Sequence, residues 1–154
     1  MCLRGASAVQ EILTARPELA VRVFVVWEPV IPTDVAPPTS KTLARIHDRR
    51  ARQYWDRDRA LSADVVRSIL AAPDRYGLRD QVDADTIVWD TVAVFPAGAR
   101  WENEFPVPSF YGFPVVQSSQ GLAAALQPPG TAMLAIDGPL RLEATSWGRW
   151  KPSS

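Results

Sequence analysis

The amino-acid sequence predicts one α/β domain over residues 1–127, with a mixed sheet flanked by helices. The chain has 154 residues, of which 47% are apolar and 22% charged, and this suits one packed domain. An amphipathic segment is followed by two separate runs of β-branched and aromatic residues, and this order is typical of a sheet covered by helices. Residues 128–154 are predicted to be a C-terminal extension, either a weak hairpin or a disordered tail.

The first predicted elements are a helix over Leu3–Ala15 and a strand over Val21–Trp27. Pro17 ends the helix because proline cannot continue helical hydrogen bonding. The strand is apolar on both faces, which indicates a strand buried from both sides in a parallel sheet. One face of the helix collects its apolar side chains, namely Ala6, Val9, Ile12 and Leu13.

The middle of the chain is predicted to form two helices after a proline-rich loop. The first begins at Thr39 or Ser40, because either hydroxyl can cap the free N–H groups of a first turn. The second begins with Ser62 as its cap and ends before Pro73. The inward-facing residues are predicted to be Leu43, Ile46 and Tyr54 in the first helix, and Val65, Val66, Ile69 and Leu70 in the second.

The later part of the chain is predicted to add a hairpin and a short helix. Thr86–Phe95 is the second run of strand-forming residues. A Pro-Ala-Gly turn follows it, and residues 100–102 are predicted to pair back on it. A last helix is expected from Ser118 or Ser119 to Leu126.

Charge and cysteine content set limits on partners and compartment. Lys plus Arg equals Asp plus Glu, 17 against 17, so no net field favours nucleic acid or an anionic membrane. The single cysteine suits a reducing compartment. No secretory signal is visible, and Val21–Trp27 is far shorter than the ~20 residues that span a bilayer. We therefore expect a cytoplasmic protein without membrane or nucleic-acid partners and without a cofactor.

One basic stretch is relevant to the expected absence of nucleic-acid partners. Six arginines and three aspartates lie between Arg45 and Arg59, with Tyr54 and Trp55 among them. Basic residues interleaved with aromatic residues are typical of surfaces that bind single-stranded nucleic acid. The interspersed acids favour instead a helix surface crossed by ion pairs, and this is the interpretation adopted from the sequence.

Several polar residues are candidates for chemistry. His47 is the only histidine, and a lone histidine on a charged helix normally faces solvent, so no metal site is predicted. Glu28 and Asp34 follow the carboxyl end of Val21–Trp27, the edge at which α/β ligand sites gather. The Trp55-Asp56 and Trp89-Asp90 pairs are predicted to be core anchors, in which aspartate supplies a partner for the indole N–H.

Cys2 lies immediately before the first predicted helix. The partial positive charge of a helix N-terminus stabilises a thiolate, and Arg4 adds to this effect. From position alone, a terminal cysteine of no consequence is the alternative.

A set of motifs in a fixed order bears on that choice. Around Cys2 the sequence reads Cys2-Leu3-Arg4-Gly5-Ala6, and the first strand ends Val25-Val26-Trp27-Glu28-Pro29. The order resembles that of small bacterial thioredoxin-like proteins, in which a first strand delivers a C-x-x-C motif to the first helix. The resemblance covers residues 2–117. The further matching motifs are Pro32-Thr33-Asp34, Gln53-Tyr54-Trp55-Asp56, Val88-Trp89-Asp90, Pro96-x-Gly98-x-x-Trp101 and Pro114-Val115-Val116.

The resemblance implies a thiol–disulfide oxidoreductase ancestry with Cys2 as the catalytic residue. Cys2 then occupies the second, resolving position of the motif, whereas the first cysteine and the strand before it are absent, as in a truncated gene or a late start site. Exchange between two thiols within this polypeptide is therefore impossible. The resemblance also implies a cis-proline before the second strand, where this sequence reads Asp83-Ala84-Asp85. A non-catalytic binding module on the same fold is the alternative.

Overall fold

The computed structural model describes residues 3–78 and 82–127, and within them the chain is a mixed α/β protein with two small sheets. The predicted C-terminal extension lies outside the described residues. In chain order the elements are α1 (Leu3–Ala15), β1 (Val23–Trp27), α2 (Ser40–Leu43), β2 (Ala51–Trp55), α3 (Ala60–Ala71), α4 (Pro73–Tyr76), β3 (Val92–Val94), β4 (Phe110–Gly112) and α5 (Ser119–Ala125).

The first sheet pairs β1 with β2 in parallel, from Val23 opposite Ala51 to Trp27 opposite Trp55. The predicted long helix after Thr39 is therefore wrong beyond its first turn. Thr39 does cap α2, because its hydroxyl accepts a hydrogen bond from the N–H of Thr42. The helix ends at Leu43, and Ala51–Trp55 alternate between two faces with the period of a strand.

Helix α1 packs along the inner face of this sheet. A buried cluster of Ala6, Trp27 and Ile46 forms its centre. Hydrogen bonds fix the helix direction, because Arg45 donates to the hydroxyl of Ser7 and Arg50 donates to the carbonyl of Leu13. Arg50 also accepts a backbone hydrogen bond from Val23 at the start of β1. The C-terminal part of α1 therefore lies at the amino end of β1, and its first turn lies at the carboxyl end.

The second sheet and α3 form another layer. Strands β3 and β4 pair antiparallel, and α3 packs on them through a separate apolar cluster. Only three residues of the predicted strand Thr86–Phe95 are in β3. The N–H of Val88 donates to the hydroxyl of Ser62, and Asp90 turns the chain with a φ of 48°, so the residues before β3 are not available for a ladder.

The predicted return strand at residues 100–102 is also wrong. Phe110–Gly112 takes that place as β4. Trp101 instead contacts the ring of Phe105, with ring centroids 5.0 Å apart. The predicted last helix is confirmed, since α5 covers Ser119–Ala125 and ends one residue before the predicted end at Leu126.

No backbone pairing joins the two sheets among the described residues, and β1 pairs there with β2 alone. One edge of β1 therefore carries no strand from residues 3–78 and 82–127. Within the same ranges, every helix is too short or too polar to traverse a bilayer.

Candidate functional site

Two acidic residues meet where β1 and β2 end. Glu28 follows Trp27 and Asp56 follows Trp55, and these two tryptophans are opposite each other in the register. The N–H of Asp56 donates to the carbonyl of Trp27 over 2.9 Å, which holds the two strand ends together. The carboxyl edge of the sheet thus gathers two carboxylates from different strands.

Both carboxylates bind the first turn of α3. Asp56 Oδ2 accepts from the N–H of Leu61 at 2.7 Å, and Glu28 Oε1 accepts from the N–H of Ser62 at 3.2 Å. The residue at the helix N-cap is Arg59, which has a φ of 56° and no capping side chain. Remote carboxylates therefore satisfy the free N–H groups and face the positive end of the helix dipole.

The prediction that Ser62 caps this helix is wrong, because Ser62 lies inside the first turn of α3. Its hydroxyl accepts from Val88 at 2.7 Å and so anchors the segment that leads to β3. Asp64 pairs with Arg67 at the helix surface, with 2.9 Å between nitrogen and oxygen.

Glu28 is the most unusual group at this edge. The residue is only 7% exposed, and its Oε2 atom has no hydrogen-bond partner among the described residues. Burial raises the pKa of Glu28 to about 7, and repulsion from Asp56 acts in the same direction, against the N–H of Ser62 and the charge of Arg59. Glu28 therefore gains and loses a proton near neutral pH.

The first turn of α1 lies at this same edge, beside an open groove of about 480 Å³. Two arginines from separate elements, Arg4 and Arg45, contribute positive charge to it, and Glu11 contributes one negative charge. Cys2, the predicted catalytic residue, lies outside the described residues. The groove is lined by Leu3, Arg4, Ser7, Ala8, Glu11, Arg45 and Val116.

The other candidate residues serve the local structure. Asp34 Oδ2 accepts from the N–H groups of Val30 and Ile31, at 3.1 and 3.3 Å. Burial acts to raise the pKa of Asp34, these two hydrogen bonds act to lower it, and the pKa on balance lies below its ordinary value. His47 is exposed, and its backbone N–H donates to Gln10. Residues 3–78 and 82–127 contain no group of three or more His, Cys, Asp or Glu placed to hold a metal.

The predicted tryptophan–aspartate anchors have different partners. In the Trp55-Asp56 pair, Asp56 Oδ2 accepts from the backbone N–H of Leu61 in α3. Trp89 packs edge-on against Phe113, with 5.6 Å between ring centroids. One buried oxygen of Asp90 has no partner among the described residues. Within residues 3–78 and 82–127, the cis peptide bond lies between Phe113 and Pro114. Residues 83–85, where the resemblance places a cis-proline, contain no proline.

The helix-capping role of Glu28 was missed from the sequence. Its signal is a repeated dipeptide, Trp27-Glu28 and Trp55-Asp56, at the ends of two strands. Recognising it requires residues 51–55 to be identified as a strand. Comparison with protein-family models, with curated proteins and with solved structures found no match for this chain.

Proposed function

We propose that this protein is a thioredoxin-like relative of the thiol–disulfide oxidoreductases, with Cys2 as its reactive thiol. The observation that carries the proposal is that α1, which Cys2 precedes by one residue, begins at the carboxyl edge where Glu28 is buried. Within residues 3–78 and 82–127, one edge of β1 has no partner strand, and this supports the proposal further, because a thioredoxin-like sheet has another parallel strand beside this one.

The chemistry requires a partner molecule. The Cys2 thiolate attacks one sulfur of a disulfide, so that a mixed disulfide forms and the other sulfur leaves as a thiolate. The chain has one cysteine, so a thiol of a second molecule must attack the mixed disulfide to release Cys2. Glu28 is the group at this edge that can hold the exchanged proton near pH 7.

The groove beside the first turn of α1 suggests which disulfides suit the site. Arg4 and Arg45 favour anionic disulfides of small molecules, or acidic segments of protein substrates. We expect the rate with a dianionic aromatic disulfide to exceed the rate with neutral bis(2-hydroxyethyl) disulfide by more than their intrinsic reactivities explain.

The test measures the release of thiolate from 5,5′-dithiobis(2-nitrobenzoate) by the 154-residue chain as a function of pH. We expect an apparent thiol pKa below the ordinary value of about 8.5 and complete loss of the reaction in Cys2→Ser. Arg45→Gln should slow the dianionic disulfide several-fold and leave the neutral one unchanged. A rate and pH profile equal to those of a short peptide containing residues 1–6 would refute the proposal.

A non-catalytic interaction module is the second candidate, favoured by an exposed aromatic face on β1 and β2. Phe24 and Tyr54 are 64% and 52% exposed on that face. Glutathione-coupled disulfide reduction by the 154-residue chain separates the two candidates. Turnover unchanged by Cys2→Ser would eliminate the redox function and leave the binding module.

A further inference from the structure

The outer face of β1 and β2 exposes two aromatic rings side by side. Phe24 lies on β1 and Tyr54 on β2, with ring centroids 6.4 Å apart and planes inclined by 32°. Both side chains are more than half exposed, whereas Trp27 and Trp55 on the opposite face pack in the cluster under α1. These rings do not fill a hydrophobic core, so they are available to stack on a ligand.

Arginines surround these rings. Phe24 lines an open cavity of about 500 Å³ together with Arg22, Arg49 and Arg52, and no carboxylate contributes to its lining. Within residues 3–78 and 82–127, no ion pair involves any of these three exposed arginines. Arg50 also borders the cavity, but its guanidinium is bound to Asp48 and to backbone carbonyls. Nη1 of Arg52 donates to the carbonyls of Arg49 and Ala51, both at 3.1 Å, and among the described residues no hydrogen bond of this kind is made by its Nη2.

We propose that this face, formed by Arg22, Phe24, Arg49, Arg52 and Tyr54, binds single-stranded nucleic acid. Exposed rings stack on unpaired bases without regard to sequence, and the arginines bind the phosphates between them. Aromatic side chains on an open sheet face are a known platform for this purpose. The site is separate from the edge that Glu28 occupies and does not depend on the redox proposal.

Because residues 51–55 form a strand, the basic residues between Arg45 and Arg59 are arranged differently from those of the predicted helix. If residues 51–55 were helical, Arg52 and Tyr54 would lie about 200° apart around the helix axis. As alternate residues of β2 they share one face, and their register partners Phe24 and Val26 lie on that same face. Asp56 is directed to α3, where it accepts from the N–H of Leu61. Asp48 is bound to Arg50, and its charge also acts on Arg49.

Fluorescence anisotropy with a 5′-labelled ten-residue oligothymidine tests the proposal on the full 154-residue chain. Two to three phosphates contacted by the three arginines predict a slope of log K against log salt of about −1.4 to −2. We expect a fully paired DNA duplex of equal length to bind more weakly, because its bases cannot stack on the rings. No binding at low salt would overturn the proposal.

Matched variants separate stacking from charge. Phe24→Leu should weaken oligothymidine binding by roughly 5- to 100-fold, whereas Phe24→Tyr keeps a ring and should retain most of the affinity. Arg52→Gln should weaken binding and reduce the salt slope by about 0.7. Arg67→Gln, an exposed arginine on α3, should change neither.

Two outcomes would assign this face differently. Equal binding by Phe24→Leu, together with full displacement by inorganic polyphosphate, would show a charged surface without base stacking and would overturn the proposal. A concentration-dependent dimer that Phe24→Leu converts to monomer, without oligothymidine binding, would show that a second copy covers the face. Circular dichroism of each variant confirms that the exposed substitutions leave the fold intact.

Discussion

The two layers of the molecule are held together by different forces. The layer of α1, β1 and β2 has a buried cluster of three residues and a network of polar side chains. The layer of α3, β3 and β4 has a buried cluster of five apolar residues surrounded by further apolar side chains. Side-chain hydrogen bonds therefore contribute more to the first layer, and apolar packing contributes more to the second, where two buried serines also accept hydrogen bonds.

Gln53 is the centre of the polar network in the first layer. Its oxygen accepts from the indole of Trp27 at 3.0 Å, and its nitrogen donates to the carbonyls of Leu43 and Ile46 at 2.9 and 2.8 Å. One side chain thus joins β1, β2 and the end of α2. The bonds to Trp27 and Ile46 satisfy partly buried polar groups, whereas the carbonyl of Leu43 also accepts from the N–H of Ile46.

Arg50 joins the other end of the same layer. Its guanidinium binds both oxygens of Asp48 and donates to the carbonyls of Leu13, Arg16 and Leu19. A cation at the last turn of α1 also interacts favourably with the helix dipole. The hydrogen bonds from the Arg50 side chain are the chief reason that the pKa of Asp48 is lowered.

Aliphatic and aromatic side chains dominate the second layer. Ile69 is fully buried against the cluster, and Phe105 contacts the rings of Phe95 and Trp101 edge-on. We therefore expect the second layer to lose less stability when a polar contact is removed than when a buried apolar side chain is shortened. The first layer should show the opposite sensitivity.

The largest expected effect is in the second layer. Ile69→Ala removes a side chain that is 0% exposed and leaves a cavity, so we expect a loss of about 2–5 kcal/mol in the free energy of unfolding. Leu70→Ala is the matched control, because the neighbouring Leu70 is 44% exposed. Urea denaturation measures both variants, and equal losses would contradict the two-layer description.

The next effect is in the first layer. Gln53→Leu keeps a similar volume but removes the hydrogen-bond partner of the Trp27 indole N–H and of the Ile46 carbonyl, so we expect a loss of about 1–3 kcal/mol in the free energy of unfolding. Trp27 fluorescence should change together with stability. Gln120→Leu on the exposed side of α5 is the control. Stability unchanged in Gln53→Leu would show that packing alone holds this layer.

The smallest effect is a pH dependence at the junction of the two layers. Because the pKa of Glu28 is about 7 in the folded protein and about 4.5 in the unfolded chain, the folded state binds the proton more tightly between these values. The free energy of unfolding therefore falls as pH rises from about 4.5 to 7, by about 1–2 kcal/mol after allowance for solvent screening.

Glu28→Gln should remove this dependence, because its amide oxygen still accepts from Ser62 and carries no charge. The variant should be more stable than the parent at pH 8 and similar to it at pH 4.5. Glu102→Gln, an exposed carboxyl, should leave the parent profile unchanged. A parent profile that is flat between pH 4.5 and 7 would contradict the assignment.

The elements predicted well are those with strong local periodicity. Helix α1 has its predicted bounds, and Val65, Val66 and Ile69 of α3 are buried as predicted, although Leu70 is not. The sequence predicts a helix over residues 51–55 because they do not alternate strictly between apolar and polar. Gln53 is polar although it lies between the apolar Ala51 and Trp55 on one strand face. At the candidate site, Glu28 was placed at the correct strand end, but its burial and its bonds to α3 were not predicted.

By itself, the sequence determined the local elements whose hydrophobic pattern repeats over several residues, such as α1 and β1, because periodicity and proline act over short distances. The tertiary structure alone decided that residues 51–55 form a strand, since their partner lies 28 positions earlier in the register from Val23 to Ala51. It also decided that the pKa of Glu28 is raised to about 7, because burial and the nearby charge of Asp56 both disfavour the carboxylate. Burial and strand pairing are properties of the assembled chain.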